Sequence, residues 1–101
     1  MGQRVARLGD PVATGHGCTS VTAISGPCSP NVKVNGIKVA RQTDILVPHT
    51  IGTPPNCVSH GSAVNLGSAT VKVNGLPIAR KTDSADLGTI TNGSGNVFAG
   101  G

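Results

Sequence analysis

The sequence predicts an all-β domain, and three observations lead to this prediction. Branched aliphatic side chains dominate the apolar residues and Phe98 is the one aromatic residue, a composition that favours strands. The 15 glycines and 7 prolines interrupt the chain too often for a helix of ordinary length. A ten-residue segment, 32–41, returns in closely similar form as residues 71–80, which indicates internal repetition. Helical bundles and membrane-spanning helices are therefore excluded as fold classes.

Each copy of the repeated segment predicts a β-hairpin. An Asn-Gly pair, beginning at Asn35 and at Asn74, lies between two short alternating segments, and such pairs favour type I′ turns because both turn residues need positive φ. Alternation places Lys33 opposite Lys38 on a face that we expect to be solvated. The other face of each hairpin is expected to form the core, through Val32, Val34, Ile37 and Val39 in one and Val71, Val73, Leu76 and Ile78 in the next.

A third repeat is divided between the two ends of the chain. The pattern Ala-Arg-x-x-Asp follows both hairpins and also opens the chain, where it ends at Asp10. Residues 96–101 match the first half of a hairpin, so we expect residues 97–99 to lie antiparallel to the segment around Val5, with the turn between Gly101 and Gly2. The predicted fold is a small all-β domain of three pseudo-threefold hairpin repeats, a single domain spanning residues 1–101.

The acidic residues of the repeats are predicted to have a structural role. Asp10, Asp44 and Asp83 each follow an arginine by three residues, a spacing that suits an Arg–Asp pair or a turn cap. Three equivalent repeats give three equivalent environments, whereas acid–base catalysis needs carboxylates with different pKa values. The formal net charge of +4 comes from scattered basic residues with almost no aromatic surface, which argues against nucleic acid as a partner.

The histidines and cysteines predict a metal site. All of them lie in two of the three connections that follow the repeated aspartates, and a ring would bring those connections to one end. A single turn with Cys57-x-x-His60 could present two donors, and His16 and His49 follow two equivalent aspartates. Four nitrogen and sulfur donors suit tetrahedral zinc. We therefore predict one zinc ion bound by His16, His49, Cys57 and His60.

The other two cysteines leave alternatives open. Cys18 lies at the position equivalent to Cys57 in the preceding repeat and is the rival fourth ligand. A Cys18–Cys28 disulfide is a second alternative, although the absence of a secretion signal predicts synthesis in the cytoplasm, where disulfides are rare. Cys28 has no counterpart in the other repeats and is expected to be a buried apolar residue.

Three Arg-x-x-Asp copies, each joined to a hairpin of the Val-x-Val-Asn-Gly type, resemble the proline-alanine-alanine-arginine (PAAR) repeat family. The proline itself is kept only as Pro77, and Gly-Asp only as Gly9 and Asp10. The resemblance implies a β-rich cone on the tip of a trimeric β-helical spike, VgrG-like or from a phage, in type VI secretion systems and related contractile tails. It also implies a zinc ion near the point, held by three histidines and one cysteine, which corresponds to His16, His49, His60 and Cys57.

The function implied by the resemblance is that of a non-enzymatic tip that helps to pierce the target membrane. One copy would cap each spike trimer, with no fused effector domain, and would leave the cell with the spike or reside in a virion. Effectors or chaperones are further expected partners, and with so few charges the contact with the spike is expected to be apolar and salt-tolerant. The alternative is a small zinc hydrolase in which three histidines bind the ion and water takes the fourth position.

Overall fold

The computed structural model describes residues 2–100, and all regular structure in this range is β. The described residues contain thirteen short strands: β1 Gln3–Arg4, β2 Pro11–Ala13, β3 Val21–Gly26, β4 Lys33–Val34, β5 Ile37–Lys38, β6 Ile45–Leu46, β7 His49–Thr53, β8 Asn56–His60, β9 Lys72–Val73, β10 Leu76–Pro77, β11 Ser84–Ala85, β12 Gly88–Ile90 and β13 Phe98–Ala99. Within residues 2–100, the structure has no helix that is long and apolar enough to cross a membrane. The predicted all-β class is confirmed.

Three hairpins form one end of the domain, which we call the hairpin end. Two of them, β4–β5 and β9–β10, turn at Asn35 and Asn74, whose positive φ angles agree with the predicted turns. The third joins the chain ends, because β13 pairs antiparallel with β1 and Val5 donates a backbone hydrogen bond to Val97. The split hairpin is therefore confirmed, while Gly101, at its predicted turn, lies outside the described residues.

A closed ring of backbone hydrogen bonds joins the three repeats. The N–H of Ala6 donates to the carbonyl of Ala79, Ala79 donates to Ala40, and Ala40 donates back to Ala6, at 2.9, 2.9 and 3.0 Å. All three alanines are fully buried, so a larger side chain at any of them would have to displace its neighbours in a close-packed interior. This ring gives a single chain its pseudo-threefold axis.

The inner faces of the hairpins are less buried than the alternating pattern predicts. Val39, Val73 and Ile78 do pack in a buried cluster. Val32 and Ile37, however, are 38% and 37% exposed, because the described chain places no further layer over the ends of these two-residue strands. The prediction that both faces lie wholly in the core is thus only partly correct, and the hairpin end keeps an exposed apolar surface.

A second ring of strands lies beyond the hairpins. The sheet β11-β12-β2-β3-β6 is closed by bridges from Ile45 to Ala63 and from Val64 to Ala85. Its interior contains the main core, which includes Val12, Ile24, Leu46, Val64 and Ile90. Strands β2, β6 and β11 each begin directly after a repeated aspartate and lead away from the hairpins. The connections at their far ends form the opposite end of the domain, which we call the loop end.

Each Arg-x-x-Asp segment forms a tight turn between a hairpin and the closed sheet. In every copy the carboxylate accepts hydrogen bonds from the backbone N–H and the guanidinium of the arginine three residues earlier, as Asp44 does from Arg41 at 2.7 to 3.2 Å. The equivalent bonds in the other copies join Arg7 to Asp10 and Arg80 to Asp83. The structural role predicted for these aspartates is confirmed.

The residue before each aspartate has positive φ, and this suggests a stabilising substitution. Gly9 occupies the position in the first repeat, whereas threonines with φ of 79° and 78° occupy it at Thr43 and Thr82. A β-branched residue in this region is strained by about 1–2 kcal/mol. We expect Thr82→Gly to raise the free energy of unfolding by about 1 kcal/mol after the greater chain entropy of glycine is subtracted, as measured by urea denaturation.

Replacement of the glycine at the same position of the first repeat provides the control. A Cβ added at Gly9 would meet no atom within 4 Å, so Gly9→Ala tests the backbone angle without a steric clash. We expect Gly9→Ala to destabilise the protein. Equal stability of Thr82→Gly and the unsubstituted chain would show that the threonine is not strained.

Candidate metal centre

Three connections place four side chains together at the loop end. His16 lies in the loop between β2 and β3, and His49 and His60 lie opposite each other at the open end of the hairpin β7–β8. Asp86 is the first residue of the turn between β11 and β12. Their potential ligand atoms all lie within 4.8 Å of one another. The structure therefore brings the three predicted histidines into one cluster, together with an aspartate.

The carboxylate of Asp86 lies at the centre of the cluster. Its Oδ2 atom is 2.8 Å from Nε2 of His16 and 2.7 Å from Nε2 of His49, and its Oδ1 atom is 3.0 Å from Nε2 of His60. The Nε2 atoms of His16 and His49 are 3.2 Å apart. The Asp86 side chain is only 2% exposed, and His60 is the most accessible of the four at 26%.

Hydrogen bonds at the other ring nitrogens define what this cluster can bind. Nδ1 of His16 lies 3.0 Å from the Gly17 carbonyl and Nδ1 of His49 lies 2.8 Å from the Val47 carbonyl, so each Nδ1–H donates to the backbone. In neutral imidazoles this leaves lone pairs on both Nε2 atoms. Two lone pairs and a carboxylate at such short range need a positive charge between them, either protons on the Nε2 atoms, which then donate hydrogen bonds to Asp86, or a metal ion.

The donor set fits a small divalent ion. A tetrahedron with bonds of about 2.0 Å has edges of about 3.3 Å, close to the 3.2 Å between Nε2 of His16 and Nε2 of His49 and longer than the 2.7 to 3.0 Å between the carboxylate oxygens and the imidazoles. Backbone carbonyls that orient the imidazoles of His16 and His49 are the usual outer partners of metal-bound histidine. The cluster is thus able to bind a metal ion.

Electrostatics keep the Asp86 carboxylate ionised. Burial alone would raise its pKa, but hydrogen bonds from His60, His16 and His49 hold the pKa well below its usual range. The hydrogen bond to the Gly17 carbonyl, opposed by burial and aided by Asp86, raises the pKa of His16. Asp86 therefore supplies a negatively charged ligand at neutral pH.

Cys57 is not part of the cluster, in contrast to the sequence-based prediction. It lies in β8, where alternate side chains point to opposite faces, so Cys57 and His60, three residues apart, cannot face the same ion. The prediction placed both in one tight turn. Cys57 instead forms a disulfide with Cys18, which also removes the rival ligand and rules out a Cys18–Cys28 bridge. Cys28 is buried, as predicted, and burial raises the pKa of its thiol to about 12.

Asp86 was missed because it is neither histidine nor cysteine. It is the one acidic residue outside the Arg-x-x-Asp repeats, and this feature of the sequence could have marked it as a candidate ligand. The ring topology also requires the third connection to reach the same end as the other two. Asp86 has a φ of 54°, a conformation that aspartate tolerates better than most residues.

The disulfide joins the two connections that carry the histidines, and its removal has a predictable cost. Cys18 and Cys57 are 39 residues apart, and closing a loop of that length stabilises a folded chain by about 4 kcal/mol in the chain-entropy model. We expect the double variant Cys18→Ser/Cys57→Ser to lose about 2–4 kcal/mol of unfolding free energy, measured by guanidinium denaturation.

Thiol titration provides the control for the disulfide. The native protein should show no reactive thiol, because Cys28 is buried and its pKa is raised. Denaturation without reductant should expose the Cys28 thiol alone. Three titratable thiols in the denatured, unreduced protein would contradict the disulfide.

Comparison with known proteins agrees with the geometry. The model of the PAAR motif family matches residues 14–83, a segment that contains both complete hairpins, two of the Arg-x-x-Asp turns and all three histidines. No curated protein matches the sequence. Because the matched segment covers well over half of the chain, the protein belongs to the PAAR motif family.

Proposed function

We propose that the protein is the non-enzymatic tip of the spike in a contractile injection machine, a type VI secretion system or a contractile phage tail. The PAAR motif supports a spike-tip role in such machinery. The observation that carries the proposal is the cyclic ring of hydrogen bonds through Ala6, Ala40 and Ala79. A single chain with three equivalent faces can make matching contacts with all three subunits of a trimer.

The hairpin end is the surface proposed to dock on the trimeric β-helical spike, whether VgrG-like or from a phage. It carries the three repeated hairpins and an exposed apolar surface that includes Ile37. A β-helical spike ends in open backbone groups and apolar side chains that need a cover. One copy of this chain would therefore cap one trimer.

The loop end is proposed to hold one zinc ion through His16, His49, His60 and Asp86. When bound, the ion supplies four strong bonds and the positive charge that the cluster needs. The four side chains come from three separate connections, so their common site holds together the part of the domain farthest from the spike. Metal that binds only the folded state adds its binding free energy to folding.

The distribution of charge supports a role in piercing a membrane. All charged residues except Asp86 lie within segments 4–10, 33–44 and 72–83, at or next to the hairpins. The Asp86 side chain is buried, and the loop end exposes the apolar side chains of Val21, Val47, Val58 and Leu87. A charge at the centre of a bilayer costs several kcal/mol, so an uncharged leading surface lowers the energy needed to enter the membrane.

A zinc hydrolase is the weaker candidate. Such an enzyme needs a water molecule on the ion and a free general base. Asp86 contacts all three imidazoles and so supplies a fourth protein ligand. The remaining acidic residues, Asp10, Asp44 and Asp83, are paired with arginines at the repeat turns.

Two substitutions of similar chemistry test the docking orientation. Ile37→Asp places a charge on the apolar surface of the hairpin end, and Leu87→Asp places one at the loop end, where the side chain is 68% exposed. We expect Ile37→Asp to abolish co-purification with the spike trimer and Leu87→Asp to leave it intact, with unchanged zinc content in Ile37→Asp. The opposite pattern would show that the orientation is wrong.

A further inference from the structure

We infer that a collar of basic side chains around the hairpin end binds acidic side chains on the end of the spike trimer. The inference rests on the proposed function and adds the chemistry of the partner. The collar consists of Arg4, Lys33, Lys38, Lys72 and Lys81. All five belong to a hairpin or to the turn that follows one, and all except the half-buried Lys81 are exposed.

None of the five collar cations has an acidic partner within residues 2–100. The other three basic residues form the Arg–Asp pairs of the repeats. The fourth acidic residue, Asp86, is buried among the histidines at the opposite end. The domain therefore has an uncompensated positive charge at the hairpin end and an uncharged surface at the loop end.

One pair of collar residues repels within the fold itself. Lys33 and Lys38 lie directly opposite each other in β4 and β5, and like charges in that arrangement destabilise a hairpin. Within residues 2–100 neither lysine side chain forms a hydrogen bond or an ion pair, so a neutral polar residue at either position loses no such contact. A bound anionic partner would convert this repulsion into favourable contacts.

The positions of the cations favour a threefold protein partner. Lys33 and Lys72 occupy the same position in two repeats, and Arg4 and Lys38 occupy another shared position. Each of the three hairpins therefore carries at least one cation around the common axis. Nucleic acid has no such symmetry, and the single aromatic residue, Phe98, provides little surface for stacking bases.

The collar changes the expected response of the complex to salt. Composition alone suggested an apolar, salt-tolerant contact, but the structure concentrates the unpaired charge next to the apolar surface of the hairpin end. Exposed charges are screened beyond about 10 Å at 0.1 M salt. Complementary charges also accelerate association. The interface should thus have an apolar centre and a charged rim whose contribution to affinity decreases with salt.

The test compares two double variants with the same change in net charge. Lys33→Gln/Lys38→Gln removes two positive charges from the collar, and Asn56→Glu/Thr89→Glu adds two negative charges at exposed positions toward the loop end. Affinity for the purified spike trimer is measured at about 50 mM and about 500 mM salt. We expect wild-type affinity to fall about tenfold with salt, the collar variant to bind about tenfold more weakly at low salt, and the control to bind as wild type.

Stability measurements separate binding from folding. The collar variant should melt at the wild-type temperature or above it, because a like-charge pair has been removed. If the wild type binds the spike equally at both salt concentrations, and the collar variant binds as tightly as the wild type, the proposed role of the collar is wrong. Collar-dependent binding to duplex DNA or to anionic vesicles, with none to the spike, would also overturn it. Failure of the wild type to bind the spike at either salt concentration would overturn the proposed function itself.

Discussion

A His49→Ala variant should fail to bind the proposed zinc ion and should melt at a markedly lower temperature than the wild-type protein. His49 contributes one of the two imidazoles that lie closest to Asp86, and its removal leaves the buried carboxylate with only His16 and His60, an incomplete ligand set. At a free ion concentration about 1,000-fold above the dissociation constant, metal binding contributes about 4 kcal/mol to stability. Calorimetric melting of both proteins, with and without a chelator, measures the loss.

The chelator serves as the internal control for this variant. It should lower the melting temperature of the wild type towards that of His49→Ala and leave the variant unchanged. Identical wild-type melting curves with and without the chelator would contradict a stabilising metal ion.

Metal content also identifies the fourth ligand. Asp86→Ala should lose the zinc, because it removes the oxygen donor closest to the imidazoles, whereas Cys57→Ser should retain zinc because Cys57 is bonded to Cys18. Retention of zinc in Asp86→Ala and loss in Cys57→Ser would restore the ligand set that the sequence suggested.

Asp44→Ala should be the most destabilising of the three Asp→Ala substitutions at the repeat turns, with a loss of about 3–5 kcal/mol. The Asp44 side chain is 2% exposed and accepts hydrogen bonds from Arg41 and from the backbone N–H of Cys28. Its removal leaves a buried guanidinium without a counter-charge. Urea denaturation measures the change.

Asp10→Ala provides the matched comparison for Asp44→Ala. Asp10 makes the same bonds to Arg7 in the first repeat, but both side chains are more exposed, at 10% and 15%. Solvent can therefore compensate part of the loss, and we expect a smaller effect. Equal effects at the two positions would show that burial of the pair does not determine its contribution.

The repeats allowed most of the fold to be predicted, because the hairpin signals are local. An Asn-Gly pair between alternating apolar residues specifies a turn and a register, and the half-repeats at the two ends specified the third hairpin. The closed sheet beyond the hairpins was not predicted. Its strands are two to six residues long, and their pairing depends on long-range contacts that leave no periodic pattern.

A further element of the repeat was also missed. Ser29, Ser68 and Ser94 are fully buried, and each hydroxyl oxygen accepts hydrogen bonds from the backbone N–H groups two and three residues later. These serines begin the three hairpins. A single serine within a long connection has little weight as a motif, although alignment of the three repeats does place the serines together.

The candidate site was predicted as far as its histidines. Their confinement to two connections was sufficient to place them at one end of a ring. Prediction of the fourth ligand depended on the secondary structure around Cys57. The two side chains of a Cys-x-x-His segment can point to the same side in a turn, whereas in a strand they point to opposite faces. The sequence around β8 contains no signal that distinguishes the two cases, so the side of the strand on which Cys57 lies was not predictable.

Native mass spectrometry of the purified spike trimer mixed with this protein tests the central claim most directly. A pseudo-threefold chain that caps a trimer predicts one dominant species, with three spike chains, one copy of this protein and one zinc ion. Three copies of this protein per trimer, or a spike trimer that binds none, would contradict the proposed tip.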